Sequence, residues 1–242
     1  MEQPLQLLYL DRDVVVCRKP VGVVSEAGGN SPNLPALVSA ALAAQGEEAQ
    51  VYTVHRLDRE VGGLSVLART HEAAAALIAQ FSSRSVEKEY CAVLRGRPAE
   101  EHAVLEDLLF RDAAHNKSYV VKRARKGVRP ARLEYVLQTA APDGDATLSL
   151  VRIRLFTGRT HQIRVQFSSR GLPLLGDGRY GGRDPRCQVT LFACRLAFDH
   201  PATGRRLCFT LAPDETKFPW NVFPAATLHA AVTFSNTGRN NT

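Results

Sequence analysis

The feature that most constrains this chain is a series of short segments in which apolar residues alternate with polar ones or run together, each closed by a turn signal. Thr147–Phe156 alternates most clearly, with Leu148, Leu150, Ile153 and Leu155 marking the apolar positions. Arg132–Gln138 alternates as a half-buried strand. Val14–Cys17, Leu64–Ala68 and Tyr90–Leu94 are apolar runs suited to buried strands, and Val189–Phe198 and Leu207–Leu211 complete the set. Helices are fewer. Leu34–Ala44 is rich in Ala and Leu, with Pro35 near its first turn. Thr70 can cap a helix running through Phe81, supported by Glu72 in the first turn. His161–Ser169 reads as a third helix, closed by Gly171 in a left-handed cap. Many strands, short connections and few helices predict an α+β fold on a large mixed, mostly antiparallel sheet flanked by helices.

Residues 1–233 carry no repeat and no long Pro-, Gly- or Ser-rich linker, which predicts one domain; residues 234–242 are polar and read as a frayed tail. No apolar run approaches the roughly 18–20 residues needed to span a bilayer, and the N-terminus lacks the layout of a signal peptide. A cytoplasmic protein is the expectation. Lys and Arg total 31 against 24 for Asp and Glu, a net charge of +7 that favours a polyanionic partner. Charge alone leaves open whether that partner is a nucleic acid. The five cysteines show no CxxC pair, so free thiols are expected, with neither a disulfide framework nor a metal site.

Three segments embed charged residues in apolar, Gly-punctuated sequence: Val54–Thr70, Glu87–Gly96 and Gly158–Gly182. In the first, His55, Arg56, Asp58, Arg59 and Glu60 crowd a loop just before Gly62, Gly63 and a buried strand, a setting in which catalytic groups are often presented. The alternative is a surface turn in which Asp58 pairs with Arg56 or Arg59. In the third, Arg159, His161 and Arg164 lie at or beside a helix start, and an Arg turned inward beside a carboxylate would keep it ionised. The loop Gly176–Gly182 reads either as an ordinary Gly-rich hairpin or as a flexible loop whose Tyr180 stacks on a base. Tyr90, beside Lys88, reads as a strand residue with one buried face.

Together, HRLDRE followed by Gly and a buried strand, EKEY followed by a strand, and GRTHQIRV followed by LLGDGRYGG resemble the RluA-type pseudouridine synthases. The opening YLDRDVVVCRKPVGVVSE is similar to the family's first strand and KP-G turn, and the resemblance runs from about Leu8 to Pro213. It implies the pseudouridine synthase fold, an isomerase that converts uridine in ribosomal or transfer RNA to pseudouridine, and a catalytic domain that works without cofactor or metal. It also implies roles. Asp58 would be the catalytic carboxylate, and Arg164 its ion-pair partner. Tyr90 would stack on the flipped base and help remove the C5 proton. Arg56 would fill the space left by the extruded nucleotide, and Ile163 would form the apolar side of the uracil pocket. His55, Arg159, His161 and Tyr180 complete the expected substrate-binding set. No small basic RNA-binding module precedes the first strand, and nothing demands a partner, so a monomer is expected.

The sequence departs from the family pattern at Val61 and Gly62, where Thr-Ser is usual, and at Gln166, where His often stands. Two other readings compete. One is an RNA-binding or RNA-folding protein that keeps the cleft without turnover. The other is a carboxylate-dependent hydrolase, with His55 or Glu60 activating water.

Overall fold

The computed structural model describes residues 5–28, 31–48 and 50–233. The strands are β1 (Gln6–Leu10), β2 (Val14–Lys19), β3 (Tyr52–Thr53), β4 (Gly62–Ala68), β5 (Glu87–Arg95), β6 (His102–Asp112), β7 (Lys117–Val121), β8 (Val128–Asp143), β9 (Ala146–Leu155), β10 (Leu191–Asp199) and β11 (Arg206–Thr210). The helices are α1 (Leu34–Ala43), α2 (His71–Ser83), α3 (Gln162–Ser168) and α4 (Ala225–Val232), and a 3-10 turn covers Trp220–Val222. The strands join in one sheet in the order β1-β2-β4-β10-β5-β9-β8-β6-β7, with β3 added to β4 and β11 to β10. Every pairing between strands is antiparallel except β10 with β4.

The expected α+β fold with a mostly antiparallel sheet is therefore present, and the local signals act as read. Thr70 Oγ1 accepts the Ala73 N–H at 3.1 Å, capping α2. Asn33 caps α1 in the same way, and Leu34, Val38 and Leu42 recur every fourth residue on its buried face. Each such side chain contributes about 1.5–3 kcal/mol by leaving water. α3 begins one residue later than expected, because His161 takes a left-handed conformation at φ 53°. The tail 234–242 lies outside the described residues. The hairpin β6–β7 and strand β1 had no clear sequence signal. β6 buries only Leu105 and Leu109, and charges interrupt its alternation.

The helices divide between the two faces of the sheet. α2 covers a cluster containing Leu64, Val66, Leu196 and Phe198, and α3 packs with Tyr90, Ala92, Val151 and Ile153. On the reverse, α1 meets Val15, Cys17 and Leu67, while α4 meets Cys91, Val93, Leu148 and Leu150. No described helix is long and apolar enough to cross a membrane.

Strand β10 is where the sheet forks. One edge pairs along its length with β5. The other pairs with β4 at only Phe192 and Ala193, then with β11 from Arg195 to Asp199. The contact with β4 requires glycine. Gly63 has φ +114°, and a Cβ there would lie 2.3 Å from the Ala193 carbonyl oxygen. We predict that Gly63→Ala destabilises the protein by about 2–4 kcal/mol, combining strain with overpacking. Gly144→Ala, at φ +60° with no atom within 4 Å of its Cβ, should cost only about 1 kcal/mol. Denaturant midpoints of the two variants test the difference.

Candidate active site

Asp58 sits on the loop between β3 and β4, and backbone contacts fix that loop from both sides. Ser25 Oγ accepts the Leu57 N–H at 2.9 Å and donates to the Leu57 carbonyl at 2.8 Å. The Arg59 carbonyl accepts the Gly22 N–H at 2.8 Å, and Arg59 Nε donates back to the Gly22 carbonyl at 2.9 Å. The fully buried Lys19 donates to the carbonyls of Pro20, Val23 and, at 3.4 Å, Arg59. Burial lowers the Lys19 pKa to about 8, against the pull of Asp58 and Glu60. The KP-G turn is thus a brace for the Asp58 loop. His55 closes the other end. Its Nε2 accepts the Val66 N–H at 3.1 Å, and its ring stacks on Phe81 at 4.6 Å.

Opposite the loop, α3 turns Arg164 inward, and the side chain is 2% exposed. Its Nε and Nη2 donate to the two carboxylate oxygens of Asp177 at 2.7 and 2.9 Å, a bidentate pair. Its Nη1 reaches Asp58 at 3.3 Å and Glu60 at 3.5 Å. Burial would lower the guanidinium's pKa, but Asp177 first, then Asp58 and Glu60, raise it above the ordinary value. The cation is permanent. One guanidinium therefore joins a fully buried carboxylate, Asp177, to a partly exposed one, Asp58.

The loop Gly176–Gly182 is neither an ordinary hairpin nor a flexible one. Asp177 Oδ1 accepts the N–H groups of Arg179 and Tyr180 at 3.1 and 3.2 Å, so the turn folds around its carboxylate. Tyr180 departs from the expected base-stacking role. It is 6% exposed, its hydroxyl accepts the Ser118 N–H at 2.8 Å, and the Arg164 guanidinium lies over its ring at 5.3 Å. Its hydroxyl also meets His161 Nδ1 at 3.0 Å, while His161 Nε2 is 3.8 Å from Asp58. Burial lowers the His161 pKa despite Asp58, so the imidazole is neutral. Tyr180 and His161 form a wall behind Arg164 and Asp58.

These groups face a cavity of about 440 Å³, within the range of small-ligand sites. Asp58, Tyr90, Ile163, Arg164 and Leu191 line it, as do Arg56, Phe156 and Arg159. β5 presents Lys88 and Tyr90 to it by strand alternation, and Val86, just before the strand, lines it as well. Burial, then the nearby Asp58, raises the Tyr90 pKa, so its phenol stays protonated. Arg56 stands at the mouth with an exposed side chain, paired with Glu26 at 3.2 Å. The structure thus brings together Asp58, Arg164, Tyr90, Ile163 and His161, and it resolves the surface-turn alternative. Arg56 pairs with Glu26 and Arg59 binds backbone, while Asp58 turns to Arg164.

Both sequence departures have structural places. Val61 is buried against the cavity, and Gly62 has Val21 within 3.0 Å of where a Cβ would stand. Gln166 is wholly buried and donates to the Leu105 carbonyl and Asp107, so it braces β6. Sequence reasoning missed Asp177, Lys19 and Ser25. Asp177 lay in a quoted motif, but nothing in a Gly-rich run marks its carboxylate as buried. Three ligand-type groups, Asp11, Asp13 and His200, also converge elsewhere. There His200 Nε2 bonds Asp11 at 2.8 Å and Nδ1 accepts two backbone N–H groups, so both ring nitrogens are engaged.

Comparison with known proteins bears on the family and the fold. The RNA pseudouridylate synthase family profile matches residues 13–169. An uncharacterized RNA pseudouridine synthase of Aquifex aeolicus (strain VF5) is 31% identical over 229 residues, covering 88% of this chain and 71% of that protein. Ribosomal large subunit pseudouridine synthase D of Zymomonas mobilis subsp. mobilis is 34% identical over 227 residues, covering 85% and 68%. The solved structure of Human RNA Pseudouridylate Synthase Domain Containing 1 superposes with a TM-score of 0.73 at 25% identity, covering 87% of this chain and 84% of that one. The chain belongs to the RNA pseudouridylate synthase family, a class of isomerases.

The electrostatics yield three testable outcomes. Asp177→Asn should cost about 3–5 kcal/mol, because it leaves a buried guanidinium under-compensated. Asp58→Asn, at a partly exposed group that shares Arg164, should cost no more than about 1 kcal/mol. Denaturant unfolding with unchanged m-values tests both. His55 carries the third. Burial first, then Lys88, lowers its pKa to about 3 from 6.5. A depressed histidine supports the fold fully above about pH 6.5, and that support is lost as pH falls toward 3, because the unfolded chain binds the extra proton. His55→Gln should therefore show a flatter fall in stability between those two values. Equal slopes in variant and wild type would exclude His55 as a source.

Proposed function

We propose that this protein isomerises uridine to pseudouridine in RNA, with Asp58 as the catalytic carboxylate. The observation that carries the proposal is Arg164, which is held by Asp177 and extends its remaining donors to Asp58 at the cavity wall.

The reaction conserves all atoms. The C1′–N1 bond breaks, the base turns, a C1′–C5 bond forms, C5 loses a proton and N1 gains one. It calls for one carboxylate, kept charged and aimed, acting on the ribose or the uracil ring within a pocket that holds the detached base. Arg164 keeps Asp58 aimed. Ile163, Leu191 and Tyr90 supply the apolar and aromatic walls. Tyr90, protonated and buried, fits stacking and O–H donation better than proton removal. A paired base must leave its stack to reach this pocket, at a cost of a few kcal/mol, partly offset by stacking on Tyr90 and by insertion of Arg56. The cations at the mouth would meet phosphates and set affinity.

Among possible RNAs, ribosomal RNA of the large subunit is the first candidate, because relatives covering most of the chain are named for it. Transfer RNA is the second. A carboxylate-dependent hydrolase is disfavoured, since His55 accepts a backbone N–H and Glu60 leans on Arg164. A binder without turnover has no use for a carboxylate aimed by a buried guanidinium.

Asp58→Ala should abolish pseudouridine formation, a loss of at least about 10³-fold, while RNA affinity stays within a few-fold. Mapping pseudouridines in ribosomal and transfer RNA from a deletion strain, complemented with wild type or with this variant, tests it. A map unchanged by deletion would sink the isomerase reading.

A further inference from the structure

The cavity is lined by cations that the isomerisation chemistry does not use. Lys88 lies on the same face of β5 as Tyr90, two residues and roughly 6–7 Å farther along the strand. Its ammonium stands 5.6 Å from the centre of the Phe81 ring. A Cβ at Gly158 would lie 3.5 Å from it, in ordinary van der Waals contact, so the ammonium stands close to the Gly158 backbone. Arg84 and Arg159 line the same cavity. Arg84 ends α2 in a left-handed conformation at φ 63°, where Gly or Asn is usual. Arg159 donates through Nε to the Pro130 carbonyl at 3.0 Å and also lines the cavity.

These three cations have no carboxylate partner among the described residues. The contrast with other arginines is clear, since Arg170, Arg186, Arg195 and Arg206 each form a close ion pair. Burial lowers the Lys88 pKa, and burial followed by repulsion from Arg84 and Arg129 lowers that of Arg159. Like charges gathered at one cavity mouth raise the energy of the free protein, and an anion placed among them would offset it.

We propose that Lys88, Arg84 and Arg159 form a phosphate subsite that grips the backbone phosphodiester adjoining the flipped uridine. The inference rests on the isomerase reading for its choice of anion. The separation between Tyr90 and Lys88 suits a base on the tyrosine, its ribose beside Asp58 and its phosphate on the ammonium. The subsite would fix the nucleotide along the cavity, adding affinity and registering C1′ against the carboxylate.

The test measures binding and turnover separately on the full chain. The probe is unmodified transcribed large-subunit ribosomal RNA, across a salt series. Lys88→Met should weaken binding about threefold to tenfold near physiological salt and reduce the slope of log affinity against log salt by about one. KM should rise while kcat stays within about twofold, and Lys88→Arg should restore the slope. Arg84→Asn removes a cation yet suits the left-handed position, so it serves as a second variant should Lys88→Met fold poorly. Unchanged slopes in both variants overturn the subsite. A fall in kcat with KM and slope unchanged also overturns it, because Lys88 would then act on the base. Should wild type form no pseudouridine while the slopes still change, the isomerase reading fails and the phosphate subsite stands.

Discussion

The rest of the site depends on a guanidinium that is out of water and fully committed. Removing a cation from solvent is costly unless excellent hydrogen bonds replace hydration, and Asp177 supplies two of them in parallel. With that pair in place, the direction of Arg164 Nη1 is no longer a matter of side-chain freedom. It points at Asp58. The two carboxylates differ in setting: the buried Asp177 anchors the cation, and Asp58, nearer solvent, lines the cavity. Tyr180 and His161 close the space behind them, so the charged centre is walled by groups that are neutral at ordinary pH.

The sheet places these groups by simple periodicities. Alternation along β5 puts Lys88 and Tyr90 along one side of the cavity. The short parallel contact of β4 with β10 sets the height of the loop that precedes it, because the two glycines there allow backbone against backbone. Lys19 and Ser25 then fix the loop's path from a third segment. The acidic side chain is thus held by main-chain geometry more than by its own contacts.

Much of this was legible before any coordinates. β9, α1 and α2 were readable because their apolar spacing and caps agree with each other, and tertiary packing did not override them. The pairing of Asp58 with Arg164 followed from motif resemblance, since nothing in local spacing links positions so far apart. β6 and β7 were not legible, because a hairpin with little burial carries little hydrophobic period. Tyr180 was misread because an aromatic in a glycine-rich run looks exposed; only the turn around Asp177 shows that its ring faces inward. Lys19 was hidden for a related reason. A lysine before proline looks like a surface turn until its three carbonyl partners are seen.

Arg164 lies 106 residues beyond the carboxylate it steers, and its anchor at position 177 comes later still. Contacts of such span carry a large loop-closure entropy, which slows the folding of a chain that depends on them. A chain emerging from synthesis exposes the acidic loop long before the helix that disciplines it exists. Until that helix docks, Asp58 has no buried guanidinium to orient it.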